Sequence, residues 1–172
     1  MVETETMDDC LDPALIDEAR RVVTANLATG RRVVVAESCT GGLVSAALTA
    51  IAGSSAVFEA GYITYSNEAK MDMLAVDSNI LETFGAVSIA TAWAMAQGAL
   101  TRSQADVAVA ITGIAGPDGG SEQKPVGTVV FARAQKGKDS EDVIADTRQF
   151  DDTGRGGIRL QAALVALKLL MP

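Results

Sequence analysis

Two runs constrain the fold more than anything else in the chain. Val33-Val34-Val35-Ala36 and Val107-Ala108-Val109-Ala110-Ile111 are apolar at every residue rather than at every second one. A strand with one wet face alternates; a continuous β-branched run reads as a strand covered on both faces. The chain must therefore supply helices to two sides of a sheet, and its periodicity supplies them. Asp12-Pro13 opens an amphipathic helix through Leu15, Ile16, Ala19, Val22, Val23 and Leu27 that Gly30 closes. Thr40 is positioned to cap a second helix through Leu43, Val44, Ala47 and Leu48, which Gly53-Ser54-Ser55 stops. Val57 to Tyr65 reads as a strand, followed by a helix capped by Ser66 or Asn67 that carries Lys70 in its first turn. A short helix spans Asn79 to Phe84, and a longer one runs from Ser88 to about Thr101. Val126 to Ala134 and Asp142 to Phe150 form a hairpin around Lys136-Gly137-Lys138-Asp139, and a last helix covers about Gly156 to Leu170. The expected fold is α/β: a three-layer α/β/α sandwich whose mixed sheet is covered by helices on both faces. With 172 residues, 48% of them apolar, the chain suits one domain over residues 12–172, preceded by a flexible segment over 1–11.

Charge and composition exclude several functions. Lys and Arg number 14 against 22 Asp and Glu, a net charge of -8, which disfavours nucleic acid as a partner. No apolar stretch reaches the roughly 20 residues that span a bilayer, and the acidic start Met1 to Asp9 lacks the regions of a signal peptide. A cytoplasmic location with no membrane association is expected. Histidine is absent from the chain, so Ser-His and Cys-His catalysis are excluded. The two cysteines, Cys10 and Cys39, are too few for a zinc site without histidine and suggest reduced thiols rather than a disulfide framework. Neither a metal nor a cofactor is called for.

In open α/β sheets ligands bind beyond the carboxyl ends of strands, and two loops fall there. Ser38, in Ala36-Glu37-Ser38-Cys39-Thr40-Gly41-Gly42, follows a strand and precedes a helix. Such a turn fits a nucleophile beside an oxyanion hole, or a phosphate cradle. Without histidine, the base for a serine is a lysine, a carboxylate or a tyrosine relay. Lys70 is the candidate base if a desolvated pocket lowers its pKa, and otherwise a solvated helix lysine. Tyr65 either passes protons or packs at a strand end. Cys39 is a rival nucleophile or a small buried apolar residue; Glu37 orients Lys70 or closes a surface ion pair. The second loop, Thr112 to Ser121, offers a hydroxyl and unblocked N–H groups but matches neither the phosphate-loop nor the dinucleotide signature. Arg155 and Lys124 are candidate holders of a phosphate or carboxylate, or plain surface charges.

These blocks, together with Gly53-Ser54-Ser55, Tyr65-Ser66-Asn67-Glu68-Ala69-Lys70, Gly85-Ala86-Val87-Ser88 and Lys124-Pro125-Val126-Gly127-Thr128-Val129, carry a resemblance across roughly residues 12–170. The chain resembles the C-terminal domain of the competence and damage-inducible protein family CinA, and more closely the stand-alone nicotinamide mononucleotide deamidases of that family. The resemblance implies an amidohydrolase that converts nicotinamide mononucleotide and water to nicotinic acid mononucleotide and ammonia, without metal or cofactor, as a homodimer. It implies catalysis by Ser38, Lys70 and Tyr65, and a substrate site drawing on Thr40, Gly41, Gly42, Asn67, Thr112, Gly113, Gly116 and Arg155. The turn from Phe150 to Arg159 is one residue longer than the family pattern, which leaves Arg159 as the alternative to Arg155. Full-length family members carry a further N-terminal domain, for which 172 residues leave no room. The alternative function is a non-catalytic nucleotide-binding or regulatory domain in which Ser38 only donates a hydrogen bond; a Cys39 amidase is a third.

Overall fold

The computed structural model describes residues 10–139, 142–151 and 153–172. The flexible stretch expected over 1–11 lies mostly outside them, although Leu11 packs against the core. In chain order the elements are α1 (Pro13–Thr29), β1 (Val33–Glu37), α2 (Leu43–Thr49), a 3-10 turn at Ser54–Ala56, β2 (Phe58–Ile63), α3 (Asn67–Leu74), α4 (Ser78–Phe84), α5 (Ile89–Thr101), β3 (Val107–Gly113), β4 (Thr128–Gln135), β5 (Ile144–Gln149) and α6 (Gly154–Leu169).

The five strands form one sheet in the order β2-β1-β3-β4-β5. β2, β1 and β3 run parallel, and β4 and β5 are antiparallel additions, so the sheet is mixed as expected. The two continuous apolar runs are its centre, and every residue of β1 is buried. Because successive side chains alternate across a strand, each run feeds two separate cores. Val33, Val35, Val107, Val109, Ile111 and Phe131 pack under α1, α2 and α6. Val34, Ala36, Ala108, Ala110, Val130 and Ala132 pack under α5 with help from α3 and α4. The second core is alanine-rich on both sides, with Ala92, Ala96 and Ala99 facing the sheet alanines. Small residues let α5 lie close, and Gly98 sits against the backbone of Leu74 at the end of α3.

Local signals explain most boundaries. Asp12 caps α1 by accepting from Ala14 N at 2.8 Å, Gly30 ends it in the left-handed conformation, and Ser66 and Ser88 cap α3 and α5. Five expectations are corrected. Thr40 does not cap α2, whose N-cap is Gly42 with no side-chain bond of its own. β2 ends at Ile63, since Thr64 and Tyr65 turn away to start the loop into α3. Val126 lies in the loop before β4, which opens at Thr128. α4 begins at Ser78 under an Asp77 cap, and α6 begins at Gly154, two residues before the expected start.

Candidate active site

Ser38 stands one residue beyond β1, at the carboxyl edge of the three parallel strands. Its N–H donates to Ile111 O at 2.9 Å, and the preceding carbonyl of Glu37 accepts from Thr64 N at 2.8 Å, so the turn is tied to the ends of both neighbouring strands. The pleat then separates two adjacent side chains. Glu37 follows Val33 and Val35 onto the α2 face, whereas Ser38 follows Val34 and Ala36 onto the face that carries α3.

Glu37 resolves the missing cap. Its carboxylate is fully buried and accepts from Gly42 N (3.0 Å), Val44 N (3.2 Å), Ser45 N (2.9 Å) and Ser45 Oγ (2.7 Å). These N–H groups would otherwise be the orphan donors of the helix start. Glu37 therefore neither orients Lys70 nor forms a surface ion pair; it caps α2 from the strand. The chain must turn sharply to permit this, and Gly42 does so at φ +95°, where a Cβ would lie 2.9 Å from Ile63 Cδ1. The first-turn N–H groups of α2 are thus occupied and unavailable to a ligand.

On the other face, α3 delivers Lys70. A helical side chain leans toward the N-terminus of its helix, which brings Lys70 Nζ back over the loop that feeds α3. There it donates to Thr64 O (2.9 Å) and Tyr65 O (3.2 Å) and lies 3.1 Å from Ser38 Oγ. Lys70 is 1% exposed and Ser38 7%, and no carboxylate pairs with the amine among the described residues. Desolvation consequently holds the Lys70 pKa below its ordinary value. A neutral amine has two N–H donors and one lone pair; two carbonyls take the donors and the serine hydroxyl faces the third position. Cys39 is buried and its thiol is pushed up to about 11, chiefly by burial. It is a protonated thiol packed in the α1/α2/α6 core.

The loops after β1 and β3 open onto one cleft of about 280 Å³, lined by Ser38, Tyr65 and Lys70 on one side and by Thr112, Gly113, Gly116 and Arg155 on the other. Arg155, in the first turn of α6, donates to Gly116 O at 2.7 Å and to the Tyr65 hydroxyl at 2.9 Å, spanning the cleft mouth. Arg159, one turn on, donates instead to Cys39 O (3.2 Å) and Thr40 O (2.9 Å), bracing the serine turn from behind. Of the two arginines, Arg155 is the one in the cleft. Thr112 is buried and spends its hydroxyl proton on Ala86 O at 2.8 Å. Thr40, Gly41, Gly42 and the exposed Asn67 do not line the cleft; Thr40 is buried, with a hydroxyl that has no partner among the described residues. Lys124 lies outside it too and bonds Phe84 O at 3.0 Å, tying the Gly-rich loop to the end of α4. Sequence reasoning missed Asp118, which lines the cleft; a carboxylate inside the glycine-rich loop was the available signal. No group of three or more His, Cys, Asp and Glu gathers among the described residues, and none of their helices is long and apolar enough to cross a membrane.

A sequence model of the CinA C-terminal domain matches residues 16–172. The chain is 48% identical over 159 residues to the nicotinamide-nucleotide amidohydrolase PncC of Escherichia coli (strain K12), covering 92% of this chain and 94% of that protein. It is 49% identical over 173 residues to a putative competence-damage inducible protein of Symbiobacterium thermophilum, covering 98% of this chain but 38% of that longer relative. Among solved structures, the competence/damage inducible protein CihA from Agrobacterium tumefaciens superposes with a TM-score of 0.89 at 49% identity, over 94% of this chain and 96% of that one.

Proposed function

The chain belongs to the CinA C-terminal domain family, and on that premise we propose that it is a nicotinamide-nucleotide amidohydrolase working through a Ser38 acyl-enzyme with Lys70 as base. The observation that carries the mechanism is the position of Lys70 Nζ, 3.1 Å from Ser38 Oγ with its other contacts made to two carbonyls. Ser38 Oγ attacks the carboxamide carbon of nicotinamide mononucleotide as its proton passes to the Lys70 lone pair. The resulting ammonium protonates the departing nitrogen, which leaves as ammonia and returns Lys70 to the neutral amine. Water then attacks the acyl carbon, loses a proton to Lys70, and releases nicotinic acid mononucleotide as Ser38 recovers its proton. Because α2 is capped by Glu37, the oxyanion is held by other donors. Cys39, Ala115 and Gly116 line the cleft, and their N–H groups, which donate to no carbonyl among the described residues, are the candidates. Tyr65 assists proton transfer: its hydroxyl accepts from Arg155 and keeps its own proton to give. Arg155 meets the nucleotide phosphate. Thr112 and Gly113 shape the wall opposite Ser38, and the Thr40–Gly42 turn and Asn67 contribute by holding the serine turn and the start of α3. The enzyme acts as a homodimer in the cytoplasm.

Ammonia release from nicotinamide mononucleotide by the wild type, Ser38→Ala and Lys70→Ala is the test. Turnover by the wild type with a loss of about 10²–10⁴-fold in each variant is expected for an essential nucleophile and base. Binding without wild-type turnover would leave a non-catalytic nucleotide-binding domain, and an active Ser38→Ala with a dead Cys39→Ala would move the nucleophile to Cys39.

A further inference from the structure

The cleft holds one guanidinium, Arg155, and one carboxylate, Asp118. Of the other side chains there, the Cys39 thiol is held protonated by burial, and burial lowers the pKa of Lys70. The two charged groups are not paired with each other. Arg155 directs two of its five N–H donors to Gly116 O and the Tyr65 hydroxyl, and Asp118 is exposed, with no ion pair or hydrogen bond among the described residues. The loop that carries Asp118 is nevertheless anchored on both sides. Arg155 holds Gly116, Ser121 N donates to Lys124 O at 2.9 Å, Gly127 N donates to Ile114 O at 2.8 Å, and Lys124 Nζ reaches Phe84 O. An exposed carboxylate without a protein partner, on a held loop that lines the same cleft as a nucleophile, is open to a cationic ligand in that cleft.

The substrate class proposed above supplies one. A nicotinamide ring joined through its nitrogen to a sugar is a pyridinium and carries a permanent positive charge, whereas the free base and the reduced dihydropyridine ring are neutral. From this match, and resting on the amidohydrolase reading, the geometry points to Asp118 as the residue that selects N-substituted, cationic nicotinamides by placing its carboxylate against the charged ring. The arrangement is complementary at both ends: guanidinium to phosphate, carboxylate to pyridinium. It also answers a difficulty in the chemistry. When Lys70 takes the serine proton, the cleft contains an ammonium and a pyridinium at once, against a single oxyanion. The carboxylate restores the balance, while the ring's charge keeps the carboxamide carbon electrophilic. No atom or electron is transferred to Asp118; it acts on charge alone.

The experiment compares oxidised and reduced nicotinamide mononucleotide, which share phosphate, ribose and carboxamide and differ in ring charge. Dissociation constants for both are measured by calorimetry on Ser38→Ala and on Ser38→Ala with Asp118→Asn, and wild-type ammonia release is measured separately. The double difference cancels whatever else distinguishes the two rings. Ser38→Ala is expected to prefer the oxidised form, and Asp118→Asn to erase about two- to fivefold of that preference, as for loss of a charge partner screened by solvent. Asp118→Glu in the same background should restore part of it. An unchanged ratio in Asp118→Asn, or a Ser38→Ala protein that binds both rings equally or neither, overturns the assignment. Wild-type turnover with an unchanged ratio sinks this inference alone; a ratio that falls without wild-type turnover sinks the amidohydrolase reading and leaves the charge selection standing.

Discussion

Replacing Glu37 by Gln changes one atom and should cost the protein a large part of its stability. The carboxylate accepts from four donors, two at each oxygen. An amide retains one accepting oxygen for Gly42 N and Val44 N and turns its NH₂ toward Ser45, whose hydroxyl rotates to accept; the Ser45 N–H is left facing a donor, and the three bonds that remain, now to a neutral group, together weaken by about as much as a second lost bond. Hydrogen bonds to a charged group contribute about 1.5–3 kcal/mol each, which puts the gross loss at roughly 3–6 kcal/mol before the turn relaxes. A net destabilisation of about 3–5 kcal/mol is in line with breaking a buried charged contact. For a chain of this length each kcal/mol moves Tm by about 2–4 °C, so Glu37→Gln should melt roughly 6–20 °C below the wild type by calorimetry or circular dichroism. Chemical unfolding should show a lowered midpoint at constant slope. Turnover should fall as well, because Ser38 is the next residue and a displacement near 1 Å costs on the order of 10²-fold. Ser45→Ala, which removes one of the four contacts, should fall between wild type and Glu37→Gln. A Glu37→Gln protein melting within about 2 °C of the wild type would refute the cap as a major contributor.

Lys70 governs two pH dependences. Its folded-state pKa lies below the ordinary lysine value because of burial, so turnover should rise with pH as the amine loses its proton, and this limb should be missing from the residual activity of Lys70→Met. The unfolded lysine binds a proton up to about pH 10.4 while the folded one has already released it. Stability should therefore rise with pH between the depressed folded value and that limit, and Lys70→Met should flatten the slope in urea titrations. Cys39→Ala should retain turnover, and in the wild type iodoacetamide near pH 8 should modify the exposed Cys10 while sparing Cys39, whose thiol is held up at about 11 by burial; alkylation of both at equal rates counts against a protonated, packed thiol. Gly98→Ala should destabilise by about 1–3 kcal/mol, read as a lower Tm, since its Cβ would press on the Leu74 carbonyl.

The sheet and its helices were legible because their signals are local and redundant. An unbroken apolar run identified each central strand of the parallel set, and Asp12-Pro13, Ser66 and Ser88 announced helix starts that the structure keeps. The Thr40 cap failed because its donors are taken by a carboxylate that lies on the preceding strand, five to eight residues away from them. Capping patterns look for a side chain at the helix edge and do not look back across a turn. Placing Ser38 beyond β1 was readable from topology, whereas Thr112 and Gly113, expected to open the second loop, are the last residues of β3; the choice between Arg155 and Arg159 was not readable. They are one helical turn apart, and only the angle at which α6 meets the serine turn decides which guanidinium faces the cleft and which faces the backbone of Cys39 and Thr40. The desolvation of Lys70 was equally invisible, since spacing says nothing about what covers a side chain.

The alternation that sends Glu37 and Ser38 to opposite faces makes strand register a catalytic quantity. If β1 joined β2 and β3 one residue out of step, every side chain would exchange sides. The carboxylate would then arrive beside Lys70 and favour its ammonium form, and the hydroxyl would end under α2, far from any base. Such a chain could retain much of its secondary structure and still be inert. In refolding experiments, recovery of turnover should therefore report correct strand pairing, and a lag between the recovery of helical signal and the recovery of activity would time the correction of slipped strands.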